Sequence, residues 1–285
     1  MSQDDVVTYE VVNRVARITT NRPEYRNAQS RILLEQLDDA FHAAAADHEV
    51  GAVVLLGAGD HFSAGHDLGS PEEKADQAER PWRRGIRGWY EATYELFFEN
   101  TLRWRNLTKP TVAAVQGYCI FGGWMIASAM DVIFASPDAM FLGHHFQYFC
   151  LPWDLPPRKA KELLYEPRFM DAAEAERWGL VNRVVPRERL VDETIAWAER
   201  VAENDPFMMR MTKLAVNQAQ DNQGFTTHLT SAHAMYVLAR LGERDPDSAV
   251  VESGRKQRPM VGRALENWQR GRQDTGSADD GQETT

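Results

Sequence analysis

Long apolar runs are scarce in this chain. The longest, such as Ala52 to Leu56 and Thr111 to Val115, fall far short of the ~20 residues that a membrane-spanning helix needs. Cysteine is nearly absent too: Cys119 and Cys150 are the only two in 285 residues, with no Cys-x-x-Cys pair, which removes a disulfide framework and a cysteine-based zinc site. The remaining histidines have no metal-ligand spacing, so no metal is expected. An excess of positive charge is also missing, because 32 Lys and Arg face 42 Asp and Glu for a net charge of −10. A phosphate-binding face is normally a concentrated basic patch, so nucleic acid is not an expected partner. Met1 to Asp5 carry neither the basic nor the apolar stretch of a secretory signal. A cytoplasmic protein without membrane attachment is the expectation.

What is present is a globular composition, 43% apolar and 26% charged. Val6 to Val12 and Val15 to Thr20 are β-rich runs split by Asn13-Arg14, which reads as a hairpin. Ser30 can cap a helix with Leu33, Leu37, Phe41 and Ala44 at helical spacing. Ala52 to Leu56, Thr111 to Val115 and Val132 to Ala135 read as short buried strands, Leu180 to Val185 as a further strand, and Arg158 to Tyr165 and Ala172 to Trp178 as helices. From Val191 to Leu241 the pattern is helical, with breaks near Asn204 to Pro206 and Asn222 to Gly224. Strands alternate with helices first and helices alone follow, which predicts an α/β core over residues 1–200, a helical region over 201–272 and a disordered acidic tail over 273–285. Residues 70 to 108 stand apart: Trp82, Trp89, Tyr90, Tyr94, Phe97, Phe98 and Trp104 are interleaved with charge, and a lid or an oligomer-facing helix is expected there.

Two glycine turns carry chemistry. Phe62-Ser-Ala-Gly65-His66-Asp67 follows one buried strand, and Cys119-Ile-Phe-Gly122-Gly123-Trp124 opens a helix after another. Neither is a dinucleotide fingerprint, since a Gly-x-Gly-x-x-Gly beginning at Gly57 has Phe62 where the last glycine belongs. Free N–H groups at a helix start favour negative charge. Two such turns facing one another hold two backbone N–H groups ready for one oxyanion, the geometry that acyl chemistry needs.

Asn21-Arg-Pro-Glu-Tyr-Arg-Asn27-Ala28, Phe62 to Leu68, Lys109 to Tyr118, Gly122-Gly123 and Ala173 to Asn182, in this order and spacing, resemble the enoyl-CoA hydratase/isomerase (crotonase) superfamily. The resemblance extends from about Val6 to Arg258. It implies a crotonase-like spiral of ββα repeats with a C-terminal α-helical trimerisation region, assembled as a homotrimer or a dimer of trimers. It implies an acyl-CoA thioester as substrate, with CoA carried by that substrate and no separate cofactor. The oxyanion hole falls on the backbone N–H groups of His66 and Gly122, and CoA-side positions fall on Arg26, Ala28, Ala64 and Asp67.

The family's hydratases use two glutamates, one to activate water and one to handle the α-proton. Here Met125 stands at the first position and, by ungapped alignment, His145 at the second. Other members of the superfamily use an aspartate, or a histidine with an aspartate, in this region. His145 with Asp154 is the expected acid–base pair, His144 being the other aligned candidate, and Trp124, Met125, Tyr148, Phe149 and Trp153 are expected around the acyl group. Asp154 can alternatively cap the helix beginning near Pro156. The function read from this is an acyl-CoA enzyme that stabilises a thioester enolate, most simply an enoyl-CoA hydratase. Two alternatives stay open: a CoA-thioester isomerase or hydrolase using His145 and Asp154, and a non-catalytic acyl-CoA-binding paralogue.

Overall fold

A computed structural model describes residues 5–143, 147–242 and 260–279 of the chain. Strands β1 (Val7–Val12) and β2 (Val15–Thr20) pair antiparallel. Their two-residue connection, Asn13-Arg14, has φ of 51° and 63°, the doubly left-handed turn whose twist matches that of the flanking strands. β3 (Ala52–Gly57), β4 (Thr111–Val115), β6 (Val132–Ala135) and β9 (Arg183–Val184) continue this sheet in parallel, in the order β1-β2-β3-β4-β6-β9. Three short strands, β5 (Tyr118–Ile120), β7 (Met140–Leu142) and β8 (Met170–Asp171), form a second sheet ordered β5-β7-β8.

The large sheet is covered on both faces, which is why its strands read as continuous apolar runs. Val53, Leu55, Ala113 and Val115 face a core shared with Leu33, Leu37 and Phe41 of helix α1 (Arg31–Ala46). Their neighbours in sequence, Ala52, Val54, Val112 and Ala114, point the other way and join Leu190, Ala198 and Ala202 of α9 (Leu190–Ala202). The Ser30 hydroxyl accepts the N–H of Leu33 at 3.2 Å, the expected cap of α1.

Between β3 and β4 lie α2 (Pro71–Glu79), α3 (Gly85–Thr93), a π-helical turn (Tyr94–Glu99) and α4 (Asn100–Arg105). Helix α5 (Gly122–Ala129) follows β5; α6 (Leu151–Asp154), α7 (Pro157–Tyr165) and α8 (Ala172–Arg177) follow β7. Beyond α9 come α10 (Pro206–Asn222), α11 (Phe225–Gly242) and α12 (Met260–Asp279).

Two expectations need correcting. The strand expected over 180–185 is only Arg183–Val184, because Leu180 and Val181 turn into the main core and donate their N–H groups to Ala175. The helix around Arg158 is entered through Pro156 and Pro157 with no side-chain cap; Asp154 instead ends α6 and does not serve it.

Candidate active site

The two glycine turns lie side by side. Ser63 donates its N–H to Tyr118 at 2.9 Å and accepts that of Ile120 at 3.0 Å, so the segments start as a parallel ladder. The ladder then splays, because the Gly65 carbonyl is taken by the N–H of Gln29 at 2.8 Å and the Gly65 N–H by the Ser63 hydroxyl at 3.2 Å. Gly65 has φ +85°, and a Cβ on it would sit 2.7 Å from the Ile120 carbonyl and 3.3 Å from the Gly122 nitrogen; glycine is what lets the two turns touch. Beyond this point the N–H groups of His66 and Gly122 have no backbone acceptor among the described residues. Phe121, with φ 49° and ψ −103°, turns the chain sharply into α5. A non-glycine residue held there carries of order 1–3 kcal/mol of strain, typical of segments that place functional groups.

His66 borders an apolar cavity of about 760 Å³, whose walls include Trp82, Trp89, Phe97, Phe121 and Tyr236. The π-helical turn brings Phe97 over the His66 ring, with centroids 3.9 Å apart. His66 Nε2 lies 2.6 Å from Gln147 Oε1, and Gln147 Nε2 donates to the Tyr236 hydroxyl at 3.2 Å. Burial lowers the His66 pKa to about 4, against a small opposing pull from the Gln147 bond; the ring is neutral at pH 7.

Of the positions expected near CoA, Ala64 and Asp67 line this cavity. The Asp67 carboxylate is committed to the turn: it accepts the N–H groups of Gly69 at 2.9 Å and Ser70 at 2.7 Å, and pairs with Arg22 at 2.9 Å. Burial alone would raise its pKa, but these donors hold it below the usual carboxylate value. Arg26 is exposed next to the same turn, its carbonyl accepting the N–H of Ala64 at 2.9 Å. Ala28 is half-buried, with its carbonyl on Arg22 Nη1 at 2.7 Å.

Asp154 is elsewhere. It lines a second cavity of about 510 Å³ with Ser128, Asp131, Trp197 and Lys213, which shares no lining residue with the first. Its carboxylate accepts from Ser128 Oγ at 2.6 Å and Trp124 Nε1 at 3.1 Å, and burial raises its pKa. The structure therefore brings His66 and Gly122 together and keeps Asp154 apart from them. His144 and His145 fall outside the described residues. The residues expected around the acyl group are also displaced: Trp124, Met125 and Tyr148 are core, while Phe149 and Trp153 pack around His228. Trp82, Trp89 and Phe97, from the aromatic stretch expected to form a lid or an interface, line the cavity in their place. Gln147 and Tyr236 had no sequence signal, since Gln147 lies 81 residues from its partner His66 and Tyr236 a further 89 from its partner Gln147.

Comparison with known proteins gives the family. The profile of the enoyl-CoA hydratase/isomerase family matches residues 10–239. A Mycobacterium tuberculosis protein provisionally named enoyl-CoA hydratase EchA13 is 36% identical over 287 aligned residues, 93% of this chain and 88% of the relative. A crystal structure from Mycobacterium smegmatis, provisionally described as an enoyl-CoA hydratase, superposes with a TM-score of 0.75 at 41% identity, covering 82% of this chain and 93% of the other. An enoyl-CoA hydratase/isomerase from Xanthobacter autotrophicus Py2 does so with a TM-score of 0.75 at 34% identity, covering 90% and 99%. With both the profile and a full-length relative in agreement, this chain belongs to the enoyl-CoA hydratase/isomerase family and has the crotonase fold.

Proposed function

We propose that the protein acts on an acyl-CoA thioester and stabilises its enolate between the backbone N–H groups of His66 and Gly122, adding water across, or shifting, a carbon–carbon double bond next to the thioester. The observation that carries this reading is the splayed ladder: two neighbouring N–H groups without backbone acceptors among the described residues, at His66, which lines a large apolar cavity, and at Gly122, which follows the cavity-lining Phe121. Donors fixed before charge develops cost no reorganisation when the thioester oxygen becomes negative, and one such donor is typically worth ~3 kcal/mol in the transition state. The aromatic walls suit an apolar acyl group. Arg26, exposed beside Ala64, is proposed to meet the CoA phosphates, Ala28 and Ala64 to flank the nucleotide, and Asp67 to hold the turn. The reaction uses no cofactor beyond the CoA of the substrate.

The same proposal includes assembly as a homotrimer or a dimer of trimers, supported by the exposed Phe207, Met208 and Val216 on α10 and read by light scattering. Incubation with short and long 2-enoyl-CoA thioesters tests the chemistry. Loss of the conjugated thioester absorbance is expected. Release of free thiol would replace hydration by hydrolysis, and tight binding with no chemistry would leave an acyl-CoA-binding protein.

A further inference from the structure

Among the described residues, the carboxylates that line the cavity are those of Asp67 and Glu73. Both are engaged. Asp67 holds its turn and Arg22, while Glu73 accepts the N–H of Arg31 at 3.0 Å on one oxygen and the Gln77 amide at 2.7 Å on the other.

The His66 ring is placed differently. The Gln147 amide donates to Tyr236, so its oxygen is the atom that faces His66 Nε2. An amide oxygen can only accept, so this network assigns the proton of the neutral imidazole to Nε2 and leaves a bare lone pair on Nδ1. Nδ1 is buried and has no hydrogen-bond partner among the described residues. It is also beside the oxyanion donors: a Cβ on Gly122 would lie 2.9 Å from it. A buried polar atom without a partner normally calls for an explanation. A proton-accepting lone pair next to two N–H donors for an oxyanion provides one.

We propose that the His66 imidazole, through Nδ1, is the acid–base group of the reaction, with Gln147 and Tyr236 as positioning residues that fix its tautomer. The inference rests on the acyl-CoA reading above and assigns the proton transfer within it. In hydration, Nδ1 takes a proton from water as the water oxygen bonds to Cβ. The carbon–carbon π pair moves to form the enolate, whose oxygen is held by the N–H groups of His66 and Gly122. The imidazolium then returns the same proton to Cα as the thioester carbonyl re-forms. In a double-bond shift, Nδ1 removes a proton at one end of the allylic unit and returns it at the other. Each proton taken is given back, so one group serves where other family members use two carboxylates. His66 thus contributes twice, through its backbone and through its ring. Burial keeps the ring neutral, with its lone pair free of a proton, before substrate binds; it also disfavours the imidazolium, and the adjacent enolate charge offsets that penalty.

His66→Ala separates the two contributions, because alanine keeps the backbone N–H. Turnover of 2-enoyl- and 3-enoyl-CoA is measured with exchange of α-hydrogen of a saturated acyl-CoA in D2O and with acyl-CoA affinity. In H66A, kcat and exchange are expected to fall at least ~100-fold while affinity changes less than about threefold, and added free imidazole is expected to restore part of the rate. H66Q, which keeps the bulk but carries no proton, serves if H66A fails to fold and is expected to show the same loss. Gln147→Leu is expected to lower kcat about tenfold with KM unchanged. If the wild type is active and H66A or H66Q retains its rate, the imidazole has no acid–base role. If the wild type shows neither turnover nor exchange, the catalytic reading above fails, and this assignment fails with it; if it does not bind acyl-CoA either, the acyl-CoA reading fails as a whole.

Discussion

The His66 cavity and the Asp154 cavity both hold buried ionisable groups, and they differ in how those groups are satisfied. Around Asp154, every charge has its answer: Lys213 pairs with Asp131 at 2.9 Å and donates to the Lys109 carbonyl at 3.1 Å, while Asp154 accepts from Ser128 and Trp124. Around His66, two backbone N–H groups and one ring nitrogen have no such partner among the described residues. Desolvation is present in both, lowering the pKa of Lys213 and of His66 and raising that of Asp154. Burial alone therefore does not mark a functional group. What separates the cavities is the unmet hydrogen-bonding capacity, which costs free energy in the empty protein and is recovered when a ligand of matching charge enters.

The sharpest way to break this contrast is Gly122→Ala. The added Cβ would sit 2.3 Å from Gln29 Oε1 and 2.9 Å from the His66 ring, displacing one side of the N–H pair. Turnover is expected to fall by about 100- to 1000-fold. Asp154→Asn, by contrast, is expected to change kcat/KM less than about threefold; a loss as large as that at Gly122 would transfer the chemistry to the second cavity.

A second test concerns stability. Asp131→Ala leaves Lys213 buried without its partner, and chemical denaturation is expected to report a loss of about 2 kcal/mol, less than the 3–5 typical of fully buried pairs because the Asp131 side chain keeps 26% of its exposure. The catalytic rate of the folded protein is expected to stay near that of the wild type.

The smallest expected effect is on acid stability. His66 and His233 are both held neutral by burial, each with its pKa lowered to about 4. The unfolded chain takes up these protons near pH 6.5, whereas the folded one does not until about pH 4. Their contribution is complete above about pH 6.5 and is lost as pH falls through this window. His233→Phe, inside its cage of Tyr90, Tyr94, Phe98 and Tyr236, is expected to flatten the fall of Tm between pH 6.5 and 4. An unchanged slope would assign it to other groups.

The elements that local chemistry dictates were legible in the sequence. The hairpin at Asn13-Arg14, the Ser30 cap and the double-faced strands follow from turn geometry, capping and continuous apolar runs, and the glycine turns follow from their place after buried strands. The His66 network was not legible, because Gln147 and Tyr236 approach from distant segments with no periodicity to announce them. Asp154 was ambiguous for a related reason: one aspartate in a loop is compatible with a cap, a catalytic role or a buried acceptor, and the sequence could not announce its contacts with Trp124 and Ser128. The aromatic stretch from Trp82 to Trp104 was recognised as unusual, but the π-helical turn that aims Phe97 at His66 left no mark in its spacing.

The N–H pair can be tested at the atom it is meant to hold. Infrared difference spectroscopy of an acyl-CoA labelled with 13C at the thioester carbonyl reports the polarisation of that bond when bound. If His66 and Gly122 grip the oxygen, the stretch moves to lower frequency than in water, and the movement shrinks in Gly122→Ala at saturating ligand. An unshifted carbonyl in the wild-type complex, or one equally shifted in the variant, would contradict the assignment of the oxyanion hole to these two residues.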